Sequence, residues 1–412
     1  MKTTSYEPVD TLFLWSLRAP RSPTLVGSLN LVLTGTRGVS LRYAPSWIQT
    51  GFALSEDLPL LDVEHLPKEK DAAAGAIDDA RPDRWGERVI RLIERPPRLS
   101  LLEMLYFTGD DRFGALGVST SSNVYTPHLR GPLPQLGDVA QIHALVRMVL
   151  AGQPVPEAQR RLITPGASMG GAHPKALIDI DGEQWVLKFS EDADSSEPLL
   201  EHAAMTLAAH AGITVAQTQP VPLERGAAVA VKRFDRLPGS RLHALSAHVA
   251  LRAAGVEMTY PELAQLLRRR GPTAGDHNRL QMRELFRRLV FNILIDNTDD
   301  HEKNHVLLVD STQQYALAPA FDVLPTGHAL GYQSMVVGNR GAESSIDNAM
   351  SMCSAYWLSP KEAAAQAATV VAVVNGWRAH FTQCGVPAEL VGQYADQIDR
   401  PYLLEQRRRF AA

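Results

Sequence analysis

The sequence predicts an α+β protein in which a β-rich N-terminal subdomain precedes a mainly α-helical C-terminal lobe. Strand-like runs joined by glycine-containing turns dominate the first part of the chain. A second hairpin pattern lies near its middle, and apolar residues recur at helical spacing in the last part. The chain has 412 residues, which exceeds one ordinary domain, so two or three compact units are expected.

The N-terminal subdomain is expected to span residues 1–125. The runs Val26–Leu33 and Val39–Tyr43 have strand composition and flank a glycine-containing turn, a pattern that predicts a β-hairpin. Further along, apolar residues at helical spacing predict a helix that begins near Pro82. A stretch that contains proline and glycine, residues 126–137, separates this subdomain from the rest of the chain.

A central unit is expected over residues 138–236. An Asp-Gly dipeptide at 181–182 separates two strand-like runs, and this dipeptide favours the tight primed turns of β-hairpins. The pattern then predicts a helix over Pro198–Ala211 and a buried strand over Ala227–Phe234. The order of these elements is hairpin, helix and strand.

The remaining residues, 237–412, predict a helical lobe. Arg283–Ile295 carries an apolar face on a basic helix. Lys361–Phe381 and Pro387–Phe410 also have helical patterns, and each is predicted to form one helix.

Composition and charge argue against several classes of protein. The 41 basic and 45 acidic residues give a formal net charge of -4, whereas a dedicated nucleic-acid-binding protein is usually basic. The cysteines Cys353 and Cys384 are too few for a disulfide framework and are expected to be free thiols. No secretory signal pattern is visible, and no apolar run approaches the roughly 20 residues that cross a bilayer. A cytoplasmic protein without membrane contact is therefore expected.

The densest polar cluster is Asn297–Asn304, directly after the predicted apolar helix. Phosphoryl transfer needs a carboxylate near the attacking hydroxyl, and oxygen ligands that hold Mg²⁺ against the phosphates. Asp299 and Asn304 are five residues apart, and Asp322 follows after a strand-like run, which is the order found in protein kinases. Because Asp299 and Asp300 are adjacent, only one is expected to reach a phosphate. The alternatives are a polar loop that caps a helix and a metal-hydrolase site built on His301.

Two features upstream are candidates for binding phosphate. The loop from Ser168 to Lys175 contains the small residues Gly170, Gly171 and Ala172, and backbone N–H groups approach phosphate oxygens only where side chains are small. It matches neither common phosphate-loop motif, so a plain surface loop is the alternative.

Lys188 is the second phosphate candidate. It lies in an apolar strand, where its ammonium group is placed as in the third strand of kinases, and Glu201 is a candidate to pair with it. An exposed strand lysine and a solvated helix glutamate are the alternatives. The exit of the strand Ala227–Phe234 is a candidate for adenine binding through backbone groups of Lys232 and Phe234, and a core strand with a polar end is the alternative.

With these residues in place, the sequence resembles the HipA family of bacterial kinases, the toxin half of HipBA-type toxin–antitoxin systems. The resemblance spans nearly the whole chain and is most specific at Phe291–Asn304 and Leu317–Val323. Pro82–Gly86 and Asp110–Leu116 are also similar to the family. It implies a two-lobed, protein-kinase-like fold, in which residues 138–236 form the nucleotide-binding core.

The resemblance also implies roles for individual residues. Asp299 takes the position of the catalytic base, Asn304 and Asp322 take the Mg²⁺ positions, and Lys188 takes that of the ATP-phosphate lysine. His301 is expected to face the nucleotide phosphates. The residues of the phosphate loop, which departs from the family pattern at His173-Pro174, are Gly170, Gly171, Ala172 and Lys175, and Ser168 matches the serine that family members autophosphorylate.

The family further implies partners for the chain. Its members bind a HipB-like helix-turn-helix antitoxin, so DNA contact is expected mainly through that antitoxin. A known protein substrate in the family is glutamyl-tRNA synthetase, and an aminoacyl-tRNA synthetase is therefore a candidate substrate whose phosphorylation would arrest translation and growth. Two rival hypotheses are a catalytically inactive kinase fold that acts as a binding module, and a small-molecule kinase.

Overall fold

The computed structural model describes residues 6–128, 131–166, 173–192 and 195–411. The chain divides into two compact units. Unit 1 comprises Met1–Glu191, Arg233–Leu245 and Val309–Gln313. Unit 2 comprises Asp192–Lys232, Ser246–Leu308 and Gln314–Ala412. The domain boundaries expected from the sequence stay a prediction.

A mostly antiparallel sheet forms the N-terminal part of unit 1. Its strands, in spatial order, are Glu64–His65, Gly38–Tyr43, Thr24–Val32, Thr11–Ser16 and Leu116–Ser119, and Ala72–Ala73 pairs in parallel with Gly38–Tyr43. The pairing of Val32 with Gly38 closes the hairpin that the sequence predicts. Alternate side chains such as Leu12 and Leu14 are fully buried on one face, as the two-residue period of a strand requires.

Unit 1 also contains the second predicted hairpin, Lys175–Ile180 paired with Glu183–Lys188. Asp181 and Gly182 both have positive φ angles, 54° and 82°, which is the backbone of a primed turn and explains the Asp-Gly dipeptide. The α-helices of this unit are Pro45–Thr50, Arg84–Val89, Leu101–Phe107 and Val139–Leu150. Its short strands after the hairpin are Arg236–Leu237, Ser240–Arg241 and His243–Ser246, the last of which ends in unit 2.

Unit 2 is mainly helical and contains the hairpin Thr218–Pro222 with Ala227–Lys232. Its other strands are Val306–Val309, whose last residue belongs to unit 1, and Tyr315–Leu317. Its α-helices are Pro198–His210, Ala247–Ala254, Tyr260–Arg270, His277–Leu294, Ile346–Ser351, Pro360–Val374, Trp377–Gln383, Ala388–Ile398 and Pro401–Arg409. Residues such as Leu285, Phe286 and Leu289 are fully buried on the helix His277–Leu294, which runs through the core of this unit.

The structure corrects the two longest helix predictions. Lys361–Phe381 contains two helices that are interrupted at Asn375 and Gly376. Pro387–Phe410 also contains two helices, and the second begins at Pro401, which has no N–H to continue the first. No helix in the described ranges is long and apolar enough to cross a membrane. The predicted α+β class, with a β-rich N-terminal part and a helical C-terminal part, is confirmed.

Candidate functional site

The candidate site in unit 2 begins where the long helix His277–Leu294 ends. Asp296 turns the chain away from the helix with a left-handed backbone, φ 58°. Its buried carboxylate forms an ion pair with Arg400 at 2.6 Å and accepts the N–H of Ala329 at 3.0 Å. Burial raises the pKa of Asp296, and the Arg400 guanidinium opposes this rise. This carboxylate therefore fixes the turn that leads into the polar segment.

Asp299 and Asp300 have different surroundings although they are adjacent. Asp300 is 3% exposed, and its carboxylate contacts the Tyr260 hydroxyl, Asn292 Nδ2 at 2.7 Å and His305 Nε2 at 3.0 Å. Asp299 is exposed, and no hydrogen bond or ion pair to its carboxylate occurs within the described part of the chain. Asp300 thus holds the segment against the helical core, whereas Asp299 presents a negative charge to solvent.

Asn304 ends a short turn and carries an unsatisfied oxygen. Its Nδ2 donates to the Asp299 carbonyl at 3.3 Å, and its backbone N–H donates to the His301 carbonyl at 2.9 Å. Its Oδ1 is buried without a hydrogen-bond partner among the described residues, and the same holds for His301 Nδ1. A buried polar atom left unpaired costs about 1–3 kcal/mol, so Asn304 Oδ1 is suited to accept a cation.

Glu302, between these residues, pairs with His248. The distance from His248 Nδ1 to Glu302 Oε1 is 2.9 Å. This hydrogen bond lowers the pKa of Glu302 to about 2. Because such a carboxylate is a weak proton acceptor near neutral pH, Glu302 is a poor candidate for a general base.

Asp322 and Glu201 are brought together within unit 2. The backbone N–H of Asp322 donates to Glu201 Oε1 at 3.1 Å, and both residues are buried, at 9% and 4% exposure. Asp322 has a left-handed backbone, φ 57°, which costs about 1 kcal/mol for a residue with a side chain. The sequence suggested Glu201 as a partner for Lys188. Its contact with Asp322 was missed, since nothing local marks a pair 121 residues apart.

Two predicted phosphate-binding lysines lie in unit 1. Lys188 ends the strand Glu183–Lys188 and is 4% exposed. Lys175 is fully buried, and its ammonium forms an ion pair with Asp83, a residue that the sequence did not single out. The Lys175 side chain is therefore held by a carboxylate of the N-terminal region. Its predicted contact with a nucleotide and the predicted pairing of Lys188 with Glu201 stay predictions.

The remaining members of the predicted phosphate loop lie outside the described residues. They are Ser168, Gly170, Gly171 and Ala172. Their assignment to the loop, and that of Ser168 to autophosphorylation, therefore stay predictions.

The two residues proposed for adenine binding have defined surroundings. The Lys232 N–H donates to the Gln217 carbonyl at 2.8 Å, so an adenine contact by Lys232 would involve its carbonyl oxygen. The half-buried ring of Phe234 packs edge to face against Phe113, with 6.4 Å between ring centroids. Arg233, between them, is 2% exposed and pairs with a buried aspartate two residues on.

The donor set of unit 2 fits magnesium. The Asn304 amide oxygen and the Asp322 carboxylate are hard oxygen donors, and Mg²⁺ is usually held by one or two carboxylates together with substrate phosphates. Within the described ranges there is no cluster of three or more His, Cys, Asp or Glu side chains that could hold a metal. The unpaired Asn304 Oδ1 therefore fits a cation that arrives with a phosphorylated ligand.

Sequence comparison identifies two family domains in the chain. The HipA-like C-terminal domain matches residues 167–377, and the HipA N-terminal domain matches residues 22–119. The chain is 32% identical over 158 residues to "Putative kinase Y4dM" of Sinorhizobium fredii. This match covers 35% of this chain and 38% of the length of that relative.

Structure comparison finds the same fold in a solved protein. HipA of Shewanella oneidensis, in a complex with HipB and its operator DNA, matches with a TM-score of 0.63 and 17% identity, over 97% of both chains. At this level of identity the likeness shows that the two chains share a fold.

Proposed function

The chain belongs to the HipA family, and we propose that it is a kinase that transfers the γ-phosphoryl group of ATP to a serine or threonine of a protein. This proposal is supported by two residues in the segment after the long helix, Asp299 and Asn304. Asp299 presents an exposed carboxylate, and Asn304, five residues on, keeps a buried oxygen without a partner among the described residues. Both are needed in a phosphoryl-transfer centre.

Asp299 is the proposed catalytic residue. Its carboxylate accepts a hydrogen bond from the substrate hydroxyl, orients that hydroxyl for attack on phosphorus and accepts its proton. Asp300 supports this role indirectly, because its buried hydrogen bonds hold the backbone next to Asp299. Glu302 is paired with His248 and takes no part in proton transfer.

Asn304 Oδ1 and the Asp322 carboxylate are the proposed magnesium ligands. When bound, Mg²⁺ neutralises charge that spreads over the phosphate oxygens. Glu201 accepts the backbone N–H of Asp322 and thereby fixes the position of that carboxylate. A positioning role for Glu201 is therefore proposed beside its predicted pairing with Lys188.

ATP is proposed to contact further residues. Lys188 and His301 would meet the phosphates, as would the loop that contains Gly170, Gly171, Ala172 and Lys175, and the backbone of Lys232 and Phe234 would receive adenine. Autophosphorylation of Ser168 adds about -1.5 to -2 charges beside that loop. It is therefore expected to lower activity by repelling ATP.

The proposed partners follow from the family. The HipA of Shewanella oneidensis was solved with HipB and operator DNA. We propose that this chain also binds a HipB-like helix-turn-helix antitoxin and reaches DNA mainly through it. The proposed protein substrate is an aminoacyl-tRNA synthetase such as glutamyl-tRNA synthetase, and its phosphorylation in the cytoplasm would inhibit translation.

Labelled ATP incubated with the purified protein and cell lysate tests this function. We expect magnesium-dependent transfer of label to a protein fraction, loss of transfer in Asp299→Asn, and normal transfer in the control Asp396→Asn, which changes an exposed helical carboxylate. Label in metabolites alone would identify a small-molecule kinase. Equal transfer by wild type and Asp299→Asn would contradict the proposal.

A further inference from the structure

Two family-like segments of the N-terminal region have no role in the chemistry proposed above. They are Pro82–Gly86 and Asp110–Leu116. Both lie in unit 1 together with Arg233–Leu245, which follows the strand proposed to receive adenine. Their contacts with Arg233–Leu245 therefore lie within one unit.

Asp235 lies at the centre of a buried polar network in unit 1. It is fully buried and accepts the N–H of Gly114 at 2.8 Å, Arg233 Nη2 at 2.7 Å and Arg236 Nη1 at 2.9 Å. Although burial raises the pKa of Asp235, the charges of the two guanidinium groups hold it well below its ordinary value. The carboxylate therefore stays ionised, and its removal would leave buried cations without their counter-charge.

Both arginines also donate to backbone carbonyls of the segment that contains Gly114. Arg233 donates to Asp111 at 2.7 Å and to Arg112 at 2.9 Å. Arg236 donates to Gly114 at 2.8 Å and to Arg112 at 2.7 Å. Asp235 thus connects this segment to the residues around Phe234 through both side-chain and backbone groups.

The network also fixes the position of Phe234. The Arg233 N–H donates to the Gln184 carbonyl at 3.0 Å, and Arg236 Nε donates to Gln184 Oε1 at 3.2 Å. On the other side, the Phe234 ring packs against Phe113. The hairpin strand Glu183–Lys188 therefore holds the arginines on either side of Phe234, and the N-terminal segment contacts its ring.

The segment Pro82–Gly86 makes a second connection of the same kind. Asp83 pairs with the buried ammonium of Lys175, and Trp85 Nε1 donates to the Lys175 carbonyl at 2.8 Å. A Cβ added to Gly86 would lie 2.4 Å from the Pro165 carbonyl oxygen, so only glycine permits this approach. The N-terminal region thus approaches Pro165, which precedes the predicted phosphate loop, and contacts Lys175, the last residue of that loop.

We propose that Asp235 is a positioning residue for the nucleotide, through which the segment Asp110–Leu116 fixes the backbone at Phe234 where adenine is received. This inference rests on the proposed function, because it assigns the N-terminal region a part in ATP binding. Loss of the Asp235 charge would leave the catalytic residues of unit 2 unchanged and would weaken recognition of the base rather than of the phosphates.

Calorimetric titration of the full-length protein with MgATP, adenosine and magnesium tripolyphosphate tests this inference. In Asp235→Asn we expect the Kd for ATP and for adenosine to rise about tenfold, which corresponds to about 1.4 kcal/mol. The Kd for tripolyphosphate should stay unchanged. Arg236→Lys, which keeps the charge and loses the forked contacts, should show the same selectivity with a smaller change.

Glu103→Gln is the matched control. Glu103 is also a fully buried carboxylate of unit 1, paired with Arg98 at 2.9 Å, so its loss tests general destabilisation without touching Phe234. We expect wild-type Kd values for all three probes in this variant. Wild-type ATP affinity in folded Asp235→Asn and Arg236→Lys, or an equal loss for tripolyphosphate, would overturn the inference. Failure of the wild type to bind MgATP would instead refute the proposed function, and this inference with it.

Discussion

Units 1 and 2 both contain carboxylates held by networks of polar groups, but the groups that pair with these carboxylates differ. In unit 1, Asp235 lies between two arginines, and Asp110 pairs with Arg241 and accepts the Tyr125 hydroxyl. In unit 2, the Asp300 carboxylate is held by Tyr260, Asn292 and His305, and no arginine within the described residues pairs with it.

The difference separates a structural network from a candidate catalytic one. Each buried carboxylate described in unit 1 has a cationic partner, so the network holds the fold and needs no ligand. The unit 2 segment contains the exposed carboxylate of Asp299 and the buried Asn304 Oδ1, which lacks a partner in the described ranges. A nucleotide and a cation would supply partners for these two groups.

The largest effect is expected for Asp299. Asp299→Asn should lower kcat by about 10²–10⁴-fold, because general-base assistance is lost, and should leave the unfolding free energy unchanged because the side chain is exposed. Steady-state phosphorylation kinetics and urea denaturation measure the two quantities. A large loss of stability with little change in kcat would show that Asp299 belongs to a structural network.

Asp300 should show the opposite behaviour. Asp300→Ala removes the acceptor of three buried donors and should lower the unfolding free energy by about 3 kcal/mol. Asp300→Asn, which retains one oxygen acceptor, should cost less. Urea denaturation of both variants checks this order, and an unchanged unfolding free energy in Asp300→Ala would break the distinction between the neighbouring aspartates.

Low pH should lower the stability of unit 1 because His243 is buried there. Burial lowers the pKa of His243 to about 4, whereas an unfolded histidine titrates near 6.5. Between pH 4 and pH 6.5 the folded state binds fewer protons than the unfolded state. The stability that the neutral, buried His243 contributes is therefore fully present above pH 6.5 and is lost as the pH falls toward 4. We expect about 2 kcal/mol less stability at pH 5 than at pH 7 from this group.

Urea denaturation of wild type and His243→Gln at both pH values isolates this contribution. The variant should be less sensitive to acid, because it lacks the titrating ring that contacts the Leu54 carbonyl at 2.8 Å. An equal loss of stability in both proteins would assign the acid sensitivity to other groups.

The smallest effect is expected for Glu201. Glu201→Gln keeps an oxygen that accepts the Asp322 N–H, so it should lower kcat/KM less than Glu201→Ala, which should lower it about tenfold by releasing the magnesium ligand. Magnesium titrations of kinase activity should show a raised requirement in the alanine variant alone. Equal magnesium requirements in both variants would remove the positioning role of Glu201.

The sequence predicted the local features of this fold well. The Asp-Gly turn and the hairpin that pairs Val32 with Gly38 were correct because short-range backbone preferences decide them. The sequence prediction missed the helix breaks at Gly376 and Pro401, although glycine and proline are residues that interrupt helices. Helical periodicity reports which face is buried, and it does not report where the chain turns.

Within the candidate site, spacing marked Asp299, Asn304 and Asp322, and long-range contacts stayed hidden. The contact of Glu201 with Asp322 joins residues 121 apart, and the pair Asp83 with Lys175 joins residues 92 apart. No periodicity or local motif encodes such pairs, because they depend on how separate elements pack. The different environments of adjacent aspartates likewise come from the tertiary positions of the groups around Asp300.

The most direct test is a structure of the protein with Mg²⁺ and a non-hydrolysable ATP analogue. It should show Mg²⁺ bonded to Asn304 Oδ1 and to the Asp322 carboxylate at about 2.1 Å, with the γ-phosphate facing Asp299. A nucleotide bound elsewhere, or a metal that leaves Asn304 Oδ1 without a ligand, would contradict the assignment of this segment as a phosphoryl-transfer centre.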